Sequence, residues 1–245
     1  MNQPGLLVQI AVVLRKDLQI EFHRPARITG IFFFALALLL LVAAAAPPAL
    51  RLEDLAPGTL WIGLLLASTR SLDQSYTVET ETGALDGLHL WPADPRALFY
   101  GKALANTVVL AGVAIALLPL LVALYDAPIA DIALAELFSW PPGGSGARHL
   151  AGVVLFALLG SAAIAAPGTF YGLIAAEARG SSVLLPLLLF PLVFPALIAA
   201  AKGTTALFDG DPMGDGMFWM KALLAFNALH WSLEAVFYRR ILEDG

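Results

Sequence analysis

The sequence predicts an all-α polytopic membrane protein, with an N-terminal interfacial helix and six transmembrane helices. Three observations carry that expectation. The 245 residues are 59% hydrophobic and only 13% charged, against about 45–50% apolar and about 25% charged in soluble domains. Apolar segments recur along the chain at lengths near the roughly 20 residues that cross a bilayer as a helix. The basic residues gather in alternate connections between those segments, as the positive-inside rule requires.

The first element, residues 6–24, reads as an amphipathic helix rather than a cleavable leader. Arg15 and Lys16 follow the apolar stretch Leu6–Leu14 instead of preceding it, and no small-residue cleavage site comes next. Gln9, Arg15, Lys16, Gln19 and His23 share one face of the helical wheel; Leu7, Ile10, Leu14, Leu18 and Phe22 share the other. That pattern suits a helix lying on the cytoplasmic leaflet. Asp17 and Glu21 intrude on the apolar side, one turn apart. Two readings stand for them: ion pairs with cations of a neighbouring helix, or local pairing with Lys16 or Arg24. Pro25 ends the helix.

Residues 28–46 form the first span, closed by Pro47-Pro48, and Arg51, Glu53 and Asp54 form a short outer loop. The second span covers residues 56–72, with Trp61 suited to the outer interface and Arg70 to the inner one. The third covers residues 103–124. Tyr125–His149 is a glycine-rich outer loop. The fourth span, residues 150–176, is rich in small residues; Gly160 and Gly168-x-x-x-Gly172 allow close helix contact. Glu177, Arg179 and Gly180 make an inner turn. The fifth span, residues 183–201, carries Pro186, Pro191 and Pro195. Each is expected to remove a backbone donor and bend the helix, which makes the three candidate gate residues. An acidic outer loop, Lys202–Met217, precedes the sixth span, residues 218–238, which Arg239 and Arg240 anchor.

One polar stretch interrupts this pattern. Between the second and third spans lies DQSYTVETETGALDGLHLWPADPRALFYGK, Asp73–Lys102. Leu85, Leu88 and Leu90 sit among Glu79, Glu81, Asp86 and Asp94, so a short helix here shows an apolar and an acidic side. Gly83 and Gly87 weaken it, and Pro92 and Pro95 stop it. Residues 76–100 therefore read as a stiff peg that docks into another protein, with an ordinary loop as the alternative.

With six spans both termini share one side. Arg15, Lys16, Arg24, Arg27, Arg70, Arg96, Lys102, Arg179, Arg239 and Arg240 lie there, leaving only Arg51, Arg148, Lys202 and Lys221 of the 14 basic residues opposite. That bias places both termini, the peg and the short Glu177–Ser182 turn in the cytoplasm. No internal repeat is evident, and the chain reads as one transmembrane domain over residues 1–245.

The chemistry is mostly one of exclusions. The chain has no cysteine, which rules out disulfides, thiolate metal sites and haem attachment through C-x-x-C-H. A nucleic-acid partner is not expected without a basic stripe. No G-x-x-x-x-G-K-[ST] loop occurs, so any ATP is bound by another subunit. No H-E-x-x-H motif, paired catalytic carboxylates or rigid serine elbow appears, so no catalytic or metal-ligating residue is assigned. Asn227, His230 and Glu234 recur on one face of the sixth span. They read as a polar pathway lining or an imidazole ligand for haem iron, against plain hydrogen bonding to a neighbouring helix.

Four stretches resemble the CcmB family. They are LRKDLQIEFHRPARI (Leu14–Ile28), LAPGTLWIGLLLASTRSLDQSY (Leu55–Tyr76), ETGALDGLHLWPADPRALFYGKALAN (Glu81–Asn106) and AAEARGSSVLLPLLLFPLVFPALIAA (Ala175–Ala200). The resemblance implies a permease subunit of the type 2 ABC exporter class, in the haem-export complex of cytochrome c maturation. It implies two copies on a CcmA-like ATPase dimer, association with CcmC-like and CcmD-like membrane subunits, and the haem chaperone CcmE. ATP belongs to the partner subunit, haem is a possible substrate, and no directly bound cofactor is expected. The peg then becomes the ATPase-coupling segment, with Glu79, Glu81, Leu85, Asp86 and Leu88 as its contacts. Two other readings remain: an ABC permease for another lipid or amphiphile, and a non-transporting membrane assembly scaffold.

Overall fold

The computed structural model describes residues 5–23, 25–81, 94–126, 145–177, 184–209 and 214–244. These residues form seven α-helices and no strand: α1 (Leu6–His23), α2 (Ala26–Ala45), α3 (Leu52–Glu81), α4 (Pro95–Tyr125), α5 (Ser145–Glu177), α6 (Leu184–Phe208) and α7 (Asp215–Asp244). Four of them, α2, α4, α5 over residues 151–176, and α6, are long and apolar enough to cross a membrane. The chain is a multi-pass membrane protein. Helices α3 and α7 have the length, 30 residues each, but not the uniform apolarity. The reason for α3 is enclosure: Ala56, Leu60, Trp61, Leu64, Leu65 and Leu72 are all buried by neighbouring helices rather than set against lipid.

Helix α5 lies at the centre. It packs on α3, α4, α6 and α7, and 72% of its apolar stretch is buried, against 17% for the peripheral α2. Phe33, Phe34, Leu40 and Leu41 of α2 are exposed, as suits side chains that face acyl chains. Since lipid is as apolar as a leucine, the bundle is held mainly by close packing and interhelical hydrogen bonds.

Small residues supply that packing. Gly160 of α5 lies against the Trp61 ring, where a Cβ would overlap the indole; Gly168 meets Leu72 and Gly203 meets Phe156 in the same way. Trp61 is thus 2% exposed in the core, with its Nε1–H donating to Thr204 Oγ1 at 3.1 Å. The expectation of Trp61 at the outer interface is corrected: the gap at Gly160 and the Thr204 hydroxyl on α6 satisfy the indole inside the bundle. The same contacts keep α6 helical to Phe208, through Lys202 and the first part of the expected outer loop.

Pro95 starts a helix, and the segment before it, where it was expected to stop a short one, lies outside the described residues. The proline occupies the first turn of α4 behind the N-cap Asp94, whose carboxylate accepts from the Arg96 backbone N–H at 2.9 Å. A proline costs nothing there, because its missing N–H has no intrahelical partner to lose. Helix α4 therefore begins two turns before the expected third span. Glu53 and Asp54, expected in a loop, lie in the first turn of α3, where carboxylates complement the positive end of the helix dipole.

Gly160→Ala is expected to cost about 1–3 kcal/mol through overpacking, whereas Gly112→Ala, whose new methyl meets open space, is expected to be neutral. Thermal unfolding in one detergent compares the two; equal melting temperatures would remove Gly160 from the packing account.

Candidate functional site

Two groups of polar side chains stand out among the described residues, and the first surrounds Arg27. This residue is in the first turn of α2, directly after the elbow with α1. Its three guanidinium nitrogens go to three different helices. Nη1 pairs with Glu21 Oε1 of α1 at 2.5 Å. Nε donates to Ser71 Oγ of α3. Nη2 donates to Asn106 Oδ1 of α4 at 2.5 Å. Asn106 in turn donates through Nδ2 to Thr169 Oγ1 of α5 at 2.9 Å. One guanidinium thereby joins α1, α2, α3 and α4 directly and α5 through a single amide.

A second ion pair lies one turn away. Asp17 Oδ2 is 3.7 Å from Lys102 Nζ of α4, and its other oxygen is 3.0 Å from Lys16 Nζ. Both readings of Asp17 thus hold at once, while Glu21 takes the partner on another helix. The carboxylates sit on the apolar side because that side is divided: Val13, Asp17 and Glu21 turn toward the bundle, while Leu7 and Phe22 are exposed. Burial pushes the Glu21 carboxyl above its ordinary value, and the Arg27 charge beside it pulls the other way. Its second oxygen, Oε2, is buried and has no hydrogen-bond partner. A cleft of about 370 Å³ opens beside the knot between α2 and α3, lined by Arg27, Ser71, Gly30, Phe34 and Leu66 among others.

The start of α4 is gripped on two sides. On one side lies α1: Gln9 Oε1 accepts from the Asp94 backbone N–H at 3.0 Å, and Gly101 leaves room for Val13. On the other, Phe99 packs on Tyr238 and Trp231 of α7 at centroid distances of 5.5 and 6.3 Å, and Tyr100 stacks on Trp231. Phe99, Phe170, Leu173 and Tyr238 belong to a core cluster separate from the main one.

The second polar place is α7. Asn227 Nδ2 donates to the Leu159 carbonyl of α5 at 3.0 Å and to the Leu223 carbonyl at 2.9 Å. Trp231 Nε1 donates to the Ala162 carbonyl at 3.3 Å. His230 Nδ1 lies 2.9 Å from Glu234 Oε1, and its ring stacks on Phe226. Asn227 and Trp231 are therefore interhelical ties to α5, and His230 is engaged within its own helix. Among the described residues no three potential metal ligands converge.

Of the predicted coupling residues, Glu79 and Glu81 fall on the last turns of α3, while Leu85, Asp86 and Leu88 lie outside the described residues. Pro191 and Pro195 are inside α6 and exposed, and Pro186 is in its first described turn. Pro57, Pro119 and Pro167 also lie within helices, so a helical proline is not special to α6. Sequence reasoning missed the Arg27 knot. Its signal was the pair of carboxylates on the wrong face of α1, which require buried cations nearby.

Seven packed helices with a buried polar knot and long apolar faces define a polytopic membrane protein without a catalytic constellation among the described residues. The family model for the CcmB protein matches residues 8–236, and the chain belongs to the CcmB family. It is 27% identical over 216 residues to heme exporter protein B of Pseudomonas aeruginosa, covering 88% of this chain and 89% of that one. The heme exporter protein B of Rhodobacter capsulatus is 30% identical over 191 residues, 78% of this chain and 79% of the relative. That of Paracoccus denitrificans is 31% identical over 204 residues, 82% and 84% of the two chains.

Arg27→Gln is expected to destabilise by about 3–5 kcal/mol, since it strands a buried carboxylate, and Glu21→Gln/Arg27→Gln to recover much of that. A double-mutant cycle on thermal unfolding in detergent reads the coupling; strict additivity would dissolve the pair. Asn227→Leu is expected to cost only about 0.6–1.7 kcal/mol, the range of interhelical hydrogen bonds in membranes; a loss above that range by the same assay would make Asn227 more than a tie.

Proposed function

We propose that this chain is the membrane permease subunit of an ABC-type exporter complex in cytochrome c biogenesis. In this reading a separate CcmA-like ATPase dimer binds ATP beneath two copies of the chain. CcmC-like and CcmD-like subunits and the haem chaperone CcmE complete the assembly. ATP hydrolysis drives haem export or release of the haem-loaded chaperone. The chain sits in the bacterial inner membrane with six spans, α2 to α7, and both termini in the cytoplasm. The names carried by its relatives and the bias of its basic residues toward one side support this placement.

The observation that carries the coupling role is the pair of long helices that take in both ends of the peg, residues 76–81 in α3 and 95–100 in α4. Helix α3 has 30 residues and α4 has 31. At about 1.5 Å per residue each is near 45 Å long, against a hydrocarbon core of about 30 Å. The excess of α3 is its polar end, Asp73–Glu81. We take that polar end, with the segment that follows it, as the place a soluble ATPase subunit contacts, through Glu79, Glu81, Leu85, Asp86 and Leu88. A rigid-body closure of two ATPase subunits would move that peg and the helices joined to it. Pro191 and Pro195 face outward, so a gating role for them works by bending α6 and not by lining a path. Asn227, His230 and Glu234 line the α7 side of the same bundle.

Leu85→Arg tests the reading. The variant is expected to insert normally while losing on the order of 30-fold in ATPase affinity, as for truncation of an interface hot spot. Co-purification of the ATPase and haem staining of c-type cytochromes in cells report the result. Wild-type levels of both would defeat the coupling role.

A further inference from the structure

We propose that the cleft between α2 and α3 is a phospholipid site: the phosphate sits against Arg27 and Ser71, and one acyl chain follows the apolar wall beyond them. The inference uses only the placement of α2 in a membrane, so its failure would leave the coupling role untouched.

Three observations carry it. The first is hydrogen-bonding capacity left over at the polar end of the cleft. A guanidinium has five N–H donors. Arg27 commits one from each nitrogen, to Glu21, Ser71 and Asn106, and one remains on each Nη. Ser71, 4% exposed, accepts from Arg27 Nε, so its hydroxyl hydrogen is left to donate. Arg27 and Ser71 both line the cleft, and among the described residues no acidic side chain lines it with them. The donors therefore ask for an acceptor, and the guanidinium asks for an anion.

The second observation is position. Arg27 and Ala26, which also lines the cleft, belong to the first turn of α2. No side chain caps that helix, and the positive end of its dipole adds attraction for a negative group at this level. Helix α2 is apolar enough to cross a membrane, so its first turn lies where a span enters the bilayer and where headgroups are. Basic pockets between transmembrane helices recognise lipid headgroups in this way.

The third is the wall beyond. Past Arg27 the lining is Ile31 and Phe34 of α2 with Leu66 and Ala67 of α3. At about 1.5 Å per residue, Arg27 to Phe34 covers about 10 Å along the helix. Phe34 is 52% exposed, so the cleft opens sideways toward lipid. Free phosphate would gain nothing from that wall, and a hydrocarbon alone would leave the donors unanswered. A phospholipid meets both ends, and about 370 Å³ is within the usual size of a ligand pocket. A second groove, of about 260 Å³ between α1, α2 and α4, provides the contrast. Leu18, Phe22, Phe32 and Val109 line it, and no charged side chain does among the described residues.

The full chain in detergent is titrated with dioleoylphosphatidylglycerol, with dioleoylglycerol, which has the same chains and no phosphate, and with inorganic phosphate. Native mass spectrometry counts the bound lipid. Phosphatidylglycerol is expected to bind about tenfold or more tighter than dioleoylglycerol, as one hydrogen bond to a charged group would give. Millimolar inorganic phosphate is expected not to displace it. Gly30 lines the cleft, and a side chain there would meet open space. Gly30→Leu fills the cleft and is expected to weaken phosphatidylglycerol about tenfold. Gly112→Leu, which fills the other groove, is expected to leave it unchanged. Should Gly30→Leu not purify, Ser71→Ala is read by the ratio of the two lipid affinities. That ratio is expected to fall several-fold, which a loss of stability alone would not cause. Equal binding of the two lipids overturns the inference. So does wild-type binding in Gly30→Leu, an unchanged ratio in Ser71→Ala, or a loss in Gly112→Leu as large as in Gly30→Leu. Displacement by inorganic phosphate would make the ligand a soluble anion and overturn it as well.

Discussion

A guanidinium among apolar helices must find a full set of partners, and this bundle is arranged around meeting that need. Charged groups lose several kcal/mol on leaving water and recover it only with opposite charge and hydrogen bonds in good geometry. Arg27 finds a carboxylate on α1, a hydroxyl on α3 and an amide on α4. Each partner is itself buried: Glu21, Ser71 and Asn106 are all below one-tenth exposed. None can drift to water as a substitute, so the register of four helices is set by one side chain. Lipid-facing leucines can rotate at little cost; this knot cannot.

Around the knot, packing rather than burial decides stability. The apolar surface of α2 is no better served by protein than by acyl chains. What distinguishes the native arrangement is closeness: the Trp61 indole over Gly160, Leu72 over Gly168 and Phe156 over Gly203. Those contacts place α5 at the centre and draw α3 and α6 onto it. The indole N–H and the Thr204 hydroxyl then close a polar pair across the same seam. Steric fit and hydrogen bonding here select the same helix neighbours, which is the consistency expected of a sequence that specifies one fold.

The site and the fold meet at the first turns of α4. This segment emerges from the peg and is at once clasped by α1 and by the aromatic group Phe99, Tyr100, Trp231 and Tyr238. The start of α4 is thereby fixed on both sides. The α7 polar residues have a different character. Asn227 and Trp231 close their hydrogen bonds on carbonyls of α5 and fasten two helices together. For Asn227 this is hydrogen bonding to a neighbouring helix, the plainer of the readings its spacing allows.

Local rules determined much of this protein. Hydropathy placed the apolar helices, because a helix that crosses lipid must be apolar over about 20 residues wherever it sits. The amphipathic start and the breaks at Pro25 and Pro47-Pro48 follow from the chain's own composition. The small residues of α5 announced close contact. The family resemblance was legible because its motifs are contiguous stretches. Partners were not legible. Asp17 and Glu21 show on a wheel as misplaced charges, but nothing local says that Lys102 and Arg27 answer them across 85 and six residues of chain. Trp61 was misjudged for the same reason. An indole settles at the interface or in the core according to whether a glycine on another helix makes room. Only the tertiary structure decided these, since burial and pairing are properties of the helices brought together and not of any one of them.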